Sequence, residues 1–198
     1  MKDNQTKELL MNAAKNIFFR KGNIHATTQD IADEAGVNRA LIHYYFSSRE
    51  QLYEMVLKDA SREMSQRLQK AFAPGSSFRE KMDTFLTIHI NELLEYPFLE
   101  NFIIAEFNRA GGNKMHLLSK EVAGIFMENF VRELQEEMER GTIVRMSPEQ
   151  FLINIVSLCS YPLIARPLLQ QVFDLDDAAY LDFIKKRKDQ IMMMIFRD

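Results

Sequence analysis

Tryptophan is absent from this 198-residue chain and cysteine occurs once, at Cys159. A single thiol excludes an intrachain disulfide. It lies in an apolar stretch with no basic group close in sequence, so it reads as a small buried hydrophobe rather than a reactive sensor. Alternating strand patterns of any length are missing as well. Long apolar runs are scarce: the longest, residues 151–165, is interrupted by Asn154, Ser157, Ser160 and Pro162. It falls short of the ~20 residues needed to cross a bilayer, so no membrane association is expected. The opening Met-Lys-Asp-Asn-Gln carries no apolar signal region, and a cytoplasmic location is the expectation. His25, His43, His89 and His116 are scattered, without a Glu-x-x-His or His-x-x-x-His pair. With no Ser-His-Asp order and no phosphate-binding glycine loop, the expectation is no catalytic residue, no metal site and no cofactor.

Charge of one sign is also lacking. The formal net charge is −3, and residues 1–50 carry seven basic against six acidic side chains. That near-neutral balance argues against a non-specific architectural DNA protein, whose binding rests mainly on positive charge.

What is present is concentrated in residues 27–52, TTQDIADEAGVNRALIHYYFSSREQL. Thr27 or Thr28 can cap a helix, with Asp30 at capping-box distance from Thr27. Ile31, Ala32 and Ala35 form its apolar face, Gly36 stands where the helix should stop, and Val37 plugs the turn. Asn38 can cap a second helix, anchored through Leu41, Ile42, Tyr45 and Phe46. Ser47 or Ser48 caps a third, with Glu50 or Gln51 three residues on and Leu52, Met55 and Val56 inward. This layout is a helix-turn-helix, which places side chains in the major groove of DNA. The second helix leaves Arg39, Ala40, His43 and Tyr44 on its outer face. Arginine can bond two acceptors on guanine, histidine can donate to a base edge or phosphate, tyrosine can donate to phosphate, and alanine permits close approach.

The first fifty residues resemble the N-terminal domain of TetR-type transcriptional regulators. Ala13-Ala14, Ile17-Phe18, Gly22, Thr27-Thr28, Asp30-Ile31-Ala32, Ala35-Gly36-Val37, Tyr44, Phe46 and Leu52 carry the resemblance. Asn23, Asn38, Ala40 and His43 depart from that family's usual residues. By position, the resemblance implies that Thr28, Tyr44 and Arg49 contact phosphate. It implies that Arg39 and His43 read the groove, flanked by Asn38 and Ala40, with Thr27 completing the DNA-binding set. Arg49 also lies in the first turn of the third helix, where backbone N–H groups favour an anion.

The remainder reads as helical, giving an all-α protein of about nine helices. The first spans about Thr6 to Lys21, with Leu10, Ala13, Ala14, Ile17 and Phe18 inward. The third helix of the head continues from residue 48 to 71 and breaks at Pro74-Gly75. That break separates a DNA-binding head, residues 1–50, from a C-terminal helical bundle, residues 75–198. Five helices are expected there, over about Ser77–Glu95, Pro97 to Asn108 or Arg109, Lys114–Arg140, a segment from Ser147, and a last one from Asp174–Asp177. The segment from Ser147 should kink or break near Pro162 and Pro167.

Around residues 151–164 nearly every face is apolar, more than one core can use. A second copy of the chain is the simplest occupant, and the four-helix interface that the resemblance implies would be built from Phe151, Ile155, Leu158, Tyr180, Phe183, Ile184 and Ile191. A homodimer also suits the head, because two helix-turn-helix units related by a two-fold axis read a palindromic operator. The bundle holds most of the 15 Phe and 12 Met, and Met-rich cores repack around varied guests. A pocket drawn from Phe85, His89, Phe102, Glu106, Phe126, Phe130 and Cys159 is expected to take a small apolar effector that releases the operator, making the protein a repressor. The competing expectation is a DNA-binding adaptor whose body is solid and contacts a protein partner through an exposed apolar patch.

Overall fold

A computed structural model describes residues 2–109 and 120–197; the side chains of residues 2–4, 106, 107, 109 and 120–126 lie outside that description. Among the described residues the chain is all-α, with one isolated antiparallel bridge between Ile143 and Phe196. It forms two compact units: Met1–Met64 with Glu95–Leu117, and Ser65–Leu94 with Leu118–Asp198.

In the first unit, α1 (Lys2–Lys15) runs into a single π turn over Asn16–Arg20. The wider turn rotates the register and brings Phe19 into the interior beside Ile17 and Phe18. The predicted inner face of Leu10, Ala13, Ala14, Ile17 and Phe18 is buried throughout. Gly22 ends the segment at φ +71°, with Phe98 pressed against the face where a Cβ would stand. Next come α2 (Thr28–Ala35), α3 (Ala40–Phe46) and α4 (Arg49–Ala71). Ile31, Ala32, Ile42, Phe46, Leu52 and Val56 close the core from these three helices. Lys15 is buried and bridges Asp59 at 2.6 Å and Glu63 at 2.8 Å, fastening α1 to α4. Burial works against the Lys15 charge, but the two carboxylates outweigh it and hold its pKa above the ordinary lysine value.

One element falls outside the expected partition. Helix α6 (Leu99–Arg109) sends Leu99 and Phe102 into the N-terminal core, not into the bundle. Phe102 stacks on Phe18 at 5.3 Å and meets Tyr53 at 4.7 Å. Burying such rings removes a large apolar area from water, on the order of 2–3 kcal/mol for each. Nothing in the local sequence separates this amphipathic helix from those that serve the other unit.

The second unit contains α5 (Phe78–Glu95), α7 (Lys120–Arg140), α8 (Pro148–Ile164), α9 (Arg166–Phe173), α10 (Asp177–Lys185) and α11 (Arg187–Ile195). Ser77 and Glu80 form a capping box at the start of α5. Ser147 caps α8 by accepting from the Gln150 N–H, with Pro148 in the first turn as expected. Residues 110–119, including the expected start of α7 at Lys114, lie outside the described residues. Phe78, Met82, Leu86, Phe130, Leu134, Phe151 and Tyr180 fill the core, and Lys81, itself buried, bridges Glu133 at 2.7 Å.

The helix count exceeds the expected nine because two segments break. Helix α8 continues through Pro162 and stops only after Ile164, and α9 leaves it at 74°. The Leu158 carbonyl, which Pro162 leaves without an amide donor, accepts from Arg187 Nε at 3.1 Å, and the Tyr180 hydroxyl donates to the Pro162 carbonyl near the helix end. Pro167 then stands in the first turn of α9, where its missing N–H costs nothing. The last helix divides at Lys186 into α10 and α11. No single helix among the described residues is long and apolar enough to cross a membrane.

Gly22→Ala and Gly36→Ala should separate backbone strain from crowding. Both glycines have positive φ, but a Cβ at Gly22 would sit 2.8 Å from the Phe98 ring, whereas nothing lies within 4 Å at Gly36. Denaturant unfolding should show a loss of about 1 kcal/mol for Gly36→Ala, and at least about twice that for Gly22→Ala.

Candidate functional site

The candidate nucleic-acid surface is built on the turn between α2 and α3. Thr27, not Thr28, is the N-cap: its hydroxyl accepts from the Asp30 N–H, and the Asp30 carboxylate accepts from the Thr27 N–H at 2.7 Å. The Thr27 N–H and, at 2.8 Å, the Thr27 hydroxyl both donate to the Asp30 carboxylate and hold its pKa below the usual carboxylate value. Gly36 ends α2 at φ +66°, and its N–H and that of Val37 close on Ala32 and Asp33. The expected cap, Asn38, stands one residue ahead of the N-cap position, which Arg39 holds without a side-chain cap; the Asn38 side chain still accepts from the Ala40 N–H at 2.8 Å. On α3, Ile42 and Phe46 are buried, so the opposite side must face outward.

That outward side carries the predicted set. Asn38, Arg39, Ala40, His43 and Tyr44 are all exposed, Tyr44 by 71%. His43 Nδ1 lies 3.4 Å from the Ser47 carbonyl, and Ser47 ends α3 at φ +57°. Ser48, rather than Ser47, accepts from the Gln51 N–H and caps α4. His25, Thr27, Arg39, His43, Ser47 and Arg49 line an open polar depression of about 420 Å³ beside these groups. His25 and Ser47 had no sequence signal, because both sit in loops and only folding brings them to this depression.

Two residues that resemblance places on phosphate are engaged internally. Arg49 is half-buried: its Nε donates to the Ala26 carbonyl at 2.8 Å and its Nη2 to the Ile24 carbonyl at 2.7 Å. Its guanidinium also lies 5.8 Å from the Tyr53 ring. Thr28 is buried at 7% exposure, and its hydroxyl accepts from Arg39 Nε at 2.9 Å. Other cations of the head are occupied too. Lys21 bridges Glu34 at 2.6 Å and Arg20 bridges Glu95 at 3.5 Å.

The predicted pocket residues do not gather in one place. Phe85, Phe130 and Cys159 belong to the core of the second unit, and Phe102 belongs to the core of the first. The side chains of Glu106 and Phe126 lie outside the described residues. Phe85 stacks on His89 at 5.5 Å, with Phe72 6.1 Å from Phe85 and 5.6 Å from Phe130. Burial, seconded by the Arg67 charge, pushes the His89 pKa down to about 4. Arg67 on α4 in turn pairs with Glu92 on α5.

Most of the expected dimer residues lie inside the chain's own core: Phe151, Ile155, Tyr180, Ile184 and Ile191 are buried there. Leu158 is half-buried and Phe183 exposed. The apolar side chains left outward include Ile153, Val156, Tyr161 and Ile164 on α8, Leu168, Val172 and Phe173 on α9, Leu181 on α10, and Met193 and Met194 on α11. The two faces of α8 are nearly equal in hydrophobicity, so periodicity alone could not say which one the chain keeps for itself.

The turn, its caps and the exposed face of α3 define a helix-turn-helix DNA-binding unit. Residues 10–56 match the family described as bacterial regulatory proteins, tetR family. The helix-turn-helix-type regulator YfiR of Bacillus subtilis strain 168 is 28% identical over 164 residues, covering 78% of this chain and 77% of that one. BetI of Agrobacterium fabrum strain C58 is 32% identical over 82 residues, which span 41% of this chain and 40% of BetI. A TetR family regulator from Marinobacter aquaeolei VT8 matches with a TM-score of 0.62, covering 100% of this chain and 98% of that one; at 17% identity the likeness is one of fold. Residues 10–56 thus carry the helix-turn-helix segment of tetR-type regulatory proteins, and over the whole chain the likeness to TetR family regulators is one of fold.

Arg49→Ala should strand the Ile24 and Ala26 carbonyls, and denaturant unfolding should show a loss of about 1–3 kcal/mol. Arg49→Lys should recover little of it, because an ammonium lacks the fork that spans both oxygens. His89 makes stability depend on pH. The folded protein keeps it neutral down to about 4, whereas the unfolded chain takes up the proton near 6.5. Its contribution is therefore complete above pH 6.5 and is lost as pH falls toward 4. Unfolding midpoints should show roughly 2 kcal/mol lost between pH 7 and pH 5, and His89→Leu should flatten that slope.

Proposed function

We propose that this protein is a cytoplasmic homodimeric repressor that reads a palindromic operator and leaves it when a small apolar effector binds. The observation that carries the proposal is the exposed face of α3, where Arg39, His43 and Tyr44 stand free of the core that anchors Ile42 and Phe46. Arg39 and His43 read base edges in the major groove, Asn38 and Ala40 flank them, and Tyr44 meets a phosphate. With so many of the head's cations paired internally, non-specific attraction to DNA is weak. Selectivity then rests on contacts to bases and on the presence of two heads.

The apolar face on α8 and α9 supports the dimer. Ile153, Val156, Tyr161, Ile164, Leu168 and Val172 are all exposed on these two helices, and exposed apolar side chains gathered in number mark partner surfaces. The same surface is what a protein-binding adaptor would present, and that is the second reading. A second copy accounts for both the surface and the need for two heads.

Effector binding belongs to the second unit. His89 against Phe85, near Phe72 and Phe130, offers an aromatic setting with one polar group. The Arg67–Glu92 pair joins α4 to α5 and gives a displacement of α5 a direct route to α4. An effector shifts the operator equilibrium only by its difference in affinity for the two conformations, typically ~1–3 kcal/mol.

Sedimentation and DNA titration test this reading together. The parent should sediment as a dimer and release a selected DNA duplex when an apolar panel contains the effector class. Leu168→Glu, on the outward face, should yield folded monomers that bind at least tenfold more weakly, because two linked heads act at high effective concentration. A dimer that persists in Leu168→Glu and in Val172→Glu would move the interface elsewhere. A monomeric parent with a ligand-insensitive DNA complex would favour the adaptor.

A further inference from the structure

We propose that Thr28 is a positioning residue that aims Arg39 at a base pair, rather than a phosphate contact; this rests on the reading of Arg39 as a base-contacting side chain. Arginine on an exposed helix start is a long chain with several free torsions, and a base contact requires its fork to arrive in one plane. Arg39 stands at the N-cap position of α3, exposed, without a side-chain cap of its own. Its Nε is not adrift, because it donates to Thr28 Oγ1 at 2.9 Å. That bond fixes the guanidinium close to its root and leaves the Nη1 and Nη2 ends as a pair of parallel donors. Such a pair matches the O6 and N7 acceptors of guanine.

Thr28 suits an anchor better than a contact. It is the first residue of α2, enclosed between Thr27 and Asp30 of the capping box, so its backbone is held on both sides. It is β-branched, with few rotamers open to it in a helix. It is also buried, at 7% exposure, with its oxygen already accepting from Arg39. A threonine placed to grip the DNA backbone would present its hydroxyl outward. The same bond also spans the turn from α2 to α3, so the plane of the fork is referred to the rigid half of the head rather than to α3 alone.

The test uses the full chain and duplex DNA selected by the parent from a randomised library. Affinities for the selected duplex, its single-base-pair variants and an unrelated duplex are compared across salt for Thr28→Val, Thr28→Ser, Arg39→Ala and the Thr28→Val/Arg39→Ala pair. Thr28→Val keeps the volume and removes the acceptor, and Thr28→Ser keeps the acceptor. Thr28→Val should lose about tenfold of the preference at one base pair in each half-site. Its affinity for unrelated DNA and its salt slope should match the parent. Thr28→Ser should behave as the parent, and the double variant should be no less selective than Arg39→Ala. Equal weakening on every sequence, or a salt slope reduced by about one phosphate, would make Thr28 a backbone contact or a simple tie between helices and overturn the proposal. Retained preference in Thr28→Val, alongside its loss in Arg39→Ala, overturns the proposal but spares the base-reading role. Retained preference in Arg39→Ala, or a parent that selects no sequence, overturns both.

Discussion

A helix of seven residues does not persist in water on its own hydrogen bonds. Helix α3 has that length, and nucleation alone would leave it a minor species. It exists because Ile42 and Phe46 are buried completely in the N-terminal core. That anchoring decides everything functional about the helix. With two apolar side chains fixed inward, the spacing of a helix turns Arg39, Ala40, His43 and Tyr44 outward. The Gly36 turn, the Asn38–Ala40 bond and the Ser48 cap of α4 set the ends, and the core sets the rotation.

Polar groups in the head mostly serve that same geometry. Arg49 holds the Ile24 and Ala26 carbonyls, Lys15 ties α1 to α4, and Thr28 holds Arg39. Each is a residue type that sequence reasoning assigns readily to DNA or to solvent. Each forms a bond within the protein instead, and Arg49 does so because the loop before α2 leaves two carbonyls that burial would otherwise orphan. The near-neutral head thus spends much of its positive charge on bonds within the protein.

The second unit obeys a different constraint. Its helices have more apolar surface than one interior can enclose, so one face of α8 enters the core and another remains outside. Phe151, Ile155 and Cys159 follow one helical line inward. Ile153, Val156, Tyr161 and Ile164 follow another outward. Both lines have the spacing of an amphipathic stripe, and both belong to the segment that sequence reasoning recognised as too greasy for a monomer. Buried His89 and the Arg67–Glu92 pair show the same unit retaining polar groups beside α4.

Local chemistry in the sequence determined the all-α class, the capped helix-turn-helix at 27–52, the glycine at the left-handed turn and the outer face of α3. Those features depend on neighbours within a few residues: a hydroxyl before a helix, a glycine after it, apolar groups at helical spacing. Tertiary structure alone decided that α6 serves the N-terminal core. It decided too that Arg49 and Thr28 bind the protein's own atoms, that α8 passes through Pro162, and which stripe of α8 is enclosed. The physical reason is common to all four. Each depends on which distant surface a segment meets, and an amphipathic pattern specifies that a face will be covered without specifying by what.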